Sequence, residues 1–115
     1  MEIHSSIEGK IATLALTGRL TVSDEPGSLK QAAADAVTAG AKSVVLDLSR
    51  VPYIDSTRLG ELIAAHVTVS RQGGRLVVAG ATTHISNLLK VAGLEGIFES
   101  FATAGEAQSA LSQRA

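Results

Sequence analysis

Residues 43–49, SVVLDLS, are apolar on both faces of an extended chain except at Asp47. Alternate side chains of a strand leave on opposite sides, so such a run is stable only where both sides are covered. It predicts a central strand, parallel to its neighbours, with helices on either side. Parallel neighbours need crossovers, and the flanking sequence carries the pattern for them. Before the run, Leu29, Ala32, Ala33, Ala36 and Val37 recur on one narrow, Ala-rich helical face that stops near Gly40. Ser23 and Asp24 are candidate caps of that helix and Pro26 suits its first turn. After the run, Leu59, Leu62, Ile63 and Val67 form one side of a second helix, while Arg58, Glu61 and Thr68 point elsewhere and Gly73-Gly74 ends it.

RLVVAG, 75–80, reads as the next strand, and ATTHISNLLKVAGL, 81–94, as a third helix. In that helix Thr82 or Thr83 is the cap, Ile85, Leu88, Leu89 and Ala92 face inward, and Gly93 is the stop. The C-terminal stretch gives a short strand at 96–99 and a small last helix from about Thr103. At the other end, Ile3, Ser5 and Ile7 alternate with His4 and Ser6 before Glu8-Gly9 turns into IATLALTG, the pattern of a two-stranded hairpin. The 115 residues suffice for one core. We read one α/β domain, 1–115: a mixed, mostly parallel sheet of four to five strands with an N-terminal hairpin, packed by about four helices. Functional loops of such sheets lie at the carboxyl ends of the strands, where residues 49–56 fall.

Ten Lys and Arg against eleven Asp and Glu form no basic stripe, and 3% aromatic content offers no stacking platforms, so nucleic acid is not an expected partner. Cysteine is absent, which excludes disulfide and thiol chemistry and fits a cytoplasmic protein. The longest apolar runs fall far short of the roughly 18–20 residues that span a bilayer, so membrane insertion is not expected. Neither GxxxxGKS/T nor GxGxxG occurs, and the three His lack metal-ligand spacing, so no cofactor or metal is expected. Ser56 and His66, on one helix, would stand roughly 15 Å apart, too far for a nucleophile and its base. We therefore expect a binding protein and not an enzyme.

The stretch VPYIDSTRLGELI, 51–63, places Asp55, Ser56 and Thr57 at the strand-to-helix boundary. A short polar side chain there satisfies an orphan helix amide, worth about 1 kcal/mol against Ala, and either Asp55 or Ser56 can be that cap. A hydroxyl at a helix N-terminus is also a place where a phosphoryl group is tolerated, because amide donors and the positive end of the dipole receive its charge.

From VVLDLS through DST and LG to the glycine pair, RLVVAG and the helix ending at GL, the chain resembles the anti-sigma factor antagonists, whose domain is called STAS. In that family an apolar strand ending in D-L leads into D-S-S/T-G-L-G at the start of a helix. The likeness extends from G-R-L at 18–20 to the final helix. The resemblance implies a STAS fold and partner switching. An unmodified antagonist binds an anti-sigma factor, often a serine kinase of the histidine-kinase-like ATPase class, and frees a sigma factor. The kinase then phosphorylates the Ser after the motif Asp, and a serine phosphatase resets it. That Ser matches Ser56 here, with Thr57 the secondary candidate, and the implied partner-binding residues are Asp55, Ser56, Thr57, Arg58, Leu59, Gly60 and Thr21. Gly60 is either a point of partner approach or one of tight internal packing. Arg58 replaces the motif glycine, and Thr21 stands where many phosphorylatable members carry an Asp. Other STAS proteins are accessory subunits of lipid-exporting ATPases or tails of anion transporters; in the accessory role, Ser56 and Thr57 would be contacts without a phosphate cycle.

Overall fold

The computed structural model describes residues 2–18, 28–94 and 96–114. Strands β1 (Glu2–Glu8) and β2 (Ile11–Thr17) form the antiparallel hairpin, closed by Gly9 at φ 62°, a left-handed conformation that glycine adopts without penalty. Strand β3 (Ser43–Arg50) runs parallel to β2 and to β4 (Arg75–Ala79), and β5 (Ser100–Phe101) adds a short parallel edge, giving the order β1-β2-β3-β4-β5. The apolar run is thus the middle strand of five.

Its two faces meet different layers. Val44, Leu46 and Leu48 join a large core with residues of helices α1 (Ser28–Thr38), α2 (Ser56–Arg71) and α3 (Thr83–Val91). Val45 joins a smaller one with Val77, Ala79 and the Ala107 and Leu111 side chains of α4 (Ala104–Arg114). Asp47 shares the second face but is half-buried near the strand end, where its carboxylate accepts the Ser49 amide at 3.0 Å. The described parts match the expected fold class, with Leu29, Ala33 and Ala36 buried on α1. Ser23, Asp24, Pro26 and Thr21 lie outside the described residues.

Four local expectations are corrected. The strand placed at 96–99 is instead a turn, with the Ile97 and Phe98 amides donating to the Leu94 carbonyl, and β5 follows at Ser100. Phe98 explains the shift: it is buried in the main core with its ring edge-on to His66, 5.4 Å between centroids. Ala92 is exposed because α3 ends at Val91 and Ala92 is its C-cap. On α2 the buried stripe runs through Leu59, Leu62, Ala65 and Val69, which turns Val67 out to solvent. Arg58 lies on that buried side, not away from it. The stripe was hard to see because its members include an alanine and an arginine, which carry little hydrophobic signal.

Candidate functional site

The loop between β3 and α2 is held by its apolar residues. Val51 and Ile54 are buried, the Val51 amide donates to the Leu48 carbonyl at 3.0 Å, and Tyr53 stacks on His84 with centroids 5.8 Å apart. This fixes where the helix starts. Asp55, in an extended conformation, is its N-cap, and the carboxylate accepts the Arg58 amide at 2.9 Å. The choice between Asp55 and Ser56 is therefore settled in favour of the acid.

Ser56 and Thr57 open the first turn and are both exposed. Neither hydroxyl makes a hydrogen bond among the described residues, and the amides at these two positions precede the first intrahelical acceptor. Gly60, one turn on, is exposed as well, and a Cβ built there meets nothing within 4 Å. Tight packing against the described residues is thus not the reason for this glycine. Leu59 is buried below the surface.

Arg58, one of the partner-binding residues that the resemblance implies, is turned inward by the fold. Its side chain is 2% exposed and its Nη1 donates to Glu61 Oε2. The other oxygen of Glu61 accepts the Leu29 amide at 2.8 Å and lies 3.4 Å from that of Lys30. A carboxylate of α2 therefore caps α1, with Arg58 as its counter-ion. Glu61 is the residue that sequence reading missed. The available signal was the Arg58-to-Glu61 spacing of three, which places two opposite charges together on a helix.

The other candidates do not join this site. His66 lies on α2 with Ser56, ten positions and so about 15 Å further along the helix, which rules out direct base catalysis between them. Its Nδ1 is buried with no hydrogen-bond partner among the described residues. His4 stands on the edge strand β1, 3.4 Å from Glu2.

The family model described as "Mlab, STAS domain" matches residues 3–99. The chain belongs to the STAS family. This STAS domain resembles in fold an anti-sigma factor antagonist from Mycobacterium paratuberculosis, 21% identical over 95% of this chain and 92% of that one, TM-score 0.81. It also resembles the Bacillus cell fate determinant SpoIIAA in its phosphorylated form, 16% identical over 96% and 99%, TM-score 0.69. A SulP transporter STAS domain from Vibrio cholerae is as alike, 18% identical over 95% and 86%, TM-score 0.76. Identities this low describe a shared fold. Among the described residues of the STAS domain no helix is long and apolar enough to cross a membrane.

Proposed function

We propose that this STAS domain is an anti-sigma factor antagonist, acting in the cytoplasm through a partner surface at the start of α2 that phosphorylation of Ser56 switches off. The observation that carries the reading is the division of labour at the cap: Asp55 satisfies the helix, so the exposed Ser56 hydroxyl has no structural duty to lose. Asp55, Ser56, Thr57 and Gly60 make the contact, and the buried Arg58 and Leu59 support it from beneath. Thr57 is the secondary acceptor, and Thr21 is carried over from the family pattern as a further contact residue. The partner is an anti-sigma factor of the serine kinase class, with a serine phosphatase to reverse the mark.

A phosphoryl group brings about -1.5 to -2 charges beside Asp55. The first-turn amides and the helix dipole accommodate it in the free protein. A partner covering the same surface must desolvate or repel it. A penalty of about 4 kcal/mol weakens binding roughly a thousandfold.

A second reading, an accessory subunit of a lipid-exporting ATPase without a phosphate cycle, draws on the family match, whose description names Mlab and not an antagonist. One experiment separates them: capture from cells with wild-type and Ser56→Asp protein, followed by mass spectrometry. The switch requires a kinase-like ATPase held by wild type and lost by Ser56→Asp. Transporter subunits held equally by both would refute it and establish the second reading.

A further inference from the structure

The parallel strands begin, and the antiparallel β1 ends with Glu8, at the end of the sheet opposite Ser56, and there cations converge. Lys10 precedes β2, Lys42 precedes β3 and Arg75 opens β4. The Lys42 amide donates to the Lys10 carbonyl at 2.7 Å and the Arg75 amide to the Lys42 carbonyl at 2.9 Å. Adjacent strands lie about 4.8 Å apart, so the backbone sets Lys10 beside Lys42 just before the strands, and Arg75 one position further along, level with Ser43. They line an open cavity of about 440 Å³ together with Ser43, Gly73 and Gly74, and none of its described lining residues is an acid. The chain as a whole carries 11 acids and 10 bases, so composition alone does not produce such a one-signed cavity. Arg75 does approach Glu99, but at 3.5 Å and with both side chains well exposed, a contact that holds the guanidinium weakly.

We propose that this cavity binds a phosphate dianion, either free or as the phosphomonoester headgroup of a lipid. Like charges held on neighbouring strands repel one another, and a multivalent anion between them reverses the sign of that interaction. Arg75 supplies a planar fork for two oxygens, Lys10 and Lys42 supply point charges, and the Ser43 hydroxyl a further donor. The wall suits the role. Gly74 has no room for a Cβ, which would meet Val69 Cγ1 at 2.9 Å and the Lys42 carbonyl at 3.2 Å, so the turn lies close against Lys42. Gly73, at φ +81°, has nothing within 4 Å on its open side. The site does not rest on the antagonist reading, because the 16-residue α2 sets it about 24 Å from Ser56.

The test is a titration of the whole protein with inorganic phosphate at constant ionic strength, followed by amide shifts in ¹⁵N-resolved NMR. Shifts at Ser43, Gly73 and Gly74 are expected to saturate. Lys42→Gln and Arg75→Gln should each weaken binding roughly tenfold, and Lys90→Gln, an exposed cation on α3, should leave it unchanged. All of these side chains are exposed, and unchanged melting temperatures confirm that the variants fold. Non-saturating shifts, equal shifts with sodium chloride, or an equal loss in Lys90→Gln would overturn the site. A flotation arm with phosphatidylcholine vesicles, with and without phosphatidic acid, identifies the source. Phosphatidic acid-dependent flotation lost in Lys42→Gln assigns a lipid, and phosphate saturation without flotation assigns a soluble phosphate. Absence of both phosphate binding and flotation rejects the proposal.

Discussion

Replacing Arg58 by Met removes the counter-ion of Glu61 while keeping most of the side-chain volume. The pair is nearly closed to water, with side chains 2% and 10% exposed. Breaking a buried pair by deleting one partner costs about 3–5 kcal/mol, because the remaining charge is stranded. Glu61 retains amide partners at the start of α1, which places Arg58→Met at the low end, about 3 kcal/mol. Unfolding entropy of about 2.1 cal/mol/K per residue gives a 115-residue domain roughly 0.24 kcal/mol/K, so the melting temperature should fall by about 12 °C. Adding Glu61→Gln removes the stranded charge and keeps an acceptor for the Leu29 amide. The double variant is therefore expected to recover about 2 kcal/mol and to melt within about 4 °C of wild type. Thermal and urea unfolding followed by far-ultraviolet circular dichroism measure both. If the double variant melts as low as the single one, the loss lies in packing around the arginine stem and the stranded-charge account is wrong.

Other substitutions separate the roles at this surface. Asp55→Ala should lose about 1 kcal/mol as a cap, whereas Ser56→Ala should change stability by less than about 0.5 kcal/mol; equal losses would mean that the hydroxyl shares the cap. Ser56→Asp should fold with an unchanged circular dichroism spectrum, since an acid in the first turn is favoured by the dipole, and an unfolded variant would remove it as a phosphate mimic. Gly60→Ala fills open space on an exposed helix and should gain about 0.5–1 kcal/mol while weakening partner capture; undiminished capture would take Gly60 out of the interface. Gly80→Ala should instead lose at least about 1–2 kcal/mol, because Gly80 sits at φ +68° with a would-be Cβ 2.9 Å from Ser49 Cβ, and a neutral melting curve would contradict that geometry.

The sheet was legible because its middle strand is apolar on both sides, and no arrangement other than a covered one suits Val44, Val45, Leu46 and Leu48 together. Hairpin and caps followed from local chemistry, as at Gly9, where the chain turns, and at Thr82, whose hydroxyl accepts the Ile85 amide at 3.3 Å. What escaped was decided by contacts distant in sequence. Phe98 turns the chain before β5 because a hydrophobic pocket beside His66 outweighs strand propensity. Arg58 reads as a surface residue until α1 is packed against α2, since its partner Glu61 acquires a purpose only from the amides of Leu29 and Lys30. Charge pairs of that kind have a helical spacing in the sequence, but their burial comes from the tertiary fold.

The inward turn of Arg58 bears directly on how a switch at Ser56 would operate. Positions two apart on a helix do not face each other, and to reach a phosphate on Ser56 the guanidinium would have to leave Glu61. That move would strand the carboxylate that caps α1, at the cost already assigned to Arg58→Met. The cheaper response leaves the ion pair intact and meets the new charge with the free first-turn amides and water. Under the proposed function the domain itself then barely rearranges, and the switch is exclusion of a partner by charge. Phosphorylated and unphosphorylated protein should accordingly give the same amide protection at Leu29 and Lys30 in hydrogen exchange. Loss of protection at those two amides on phosphorylation would show that Arg58 does leave Glu61, and would replace exclusion by an internal relay from α2 to α1.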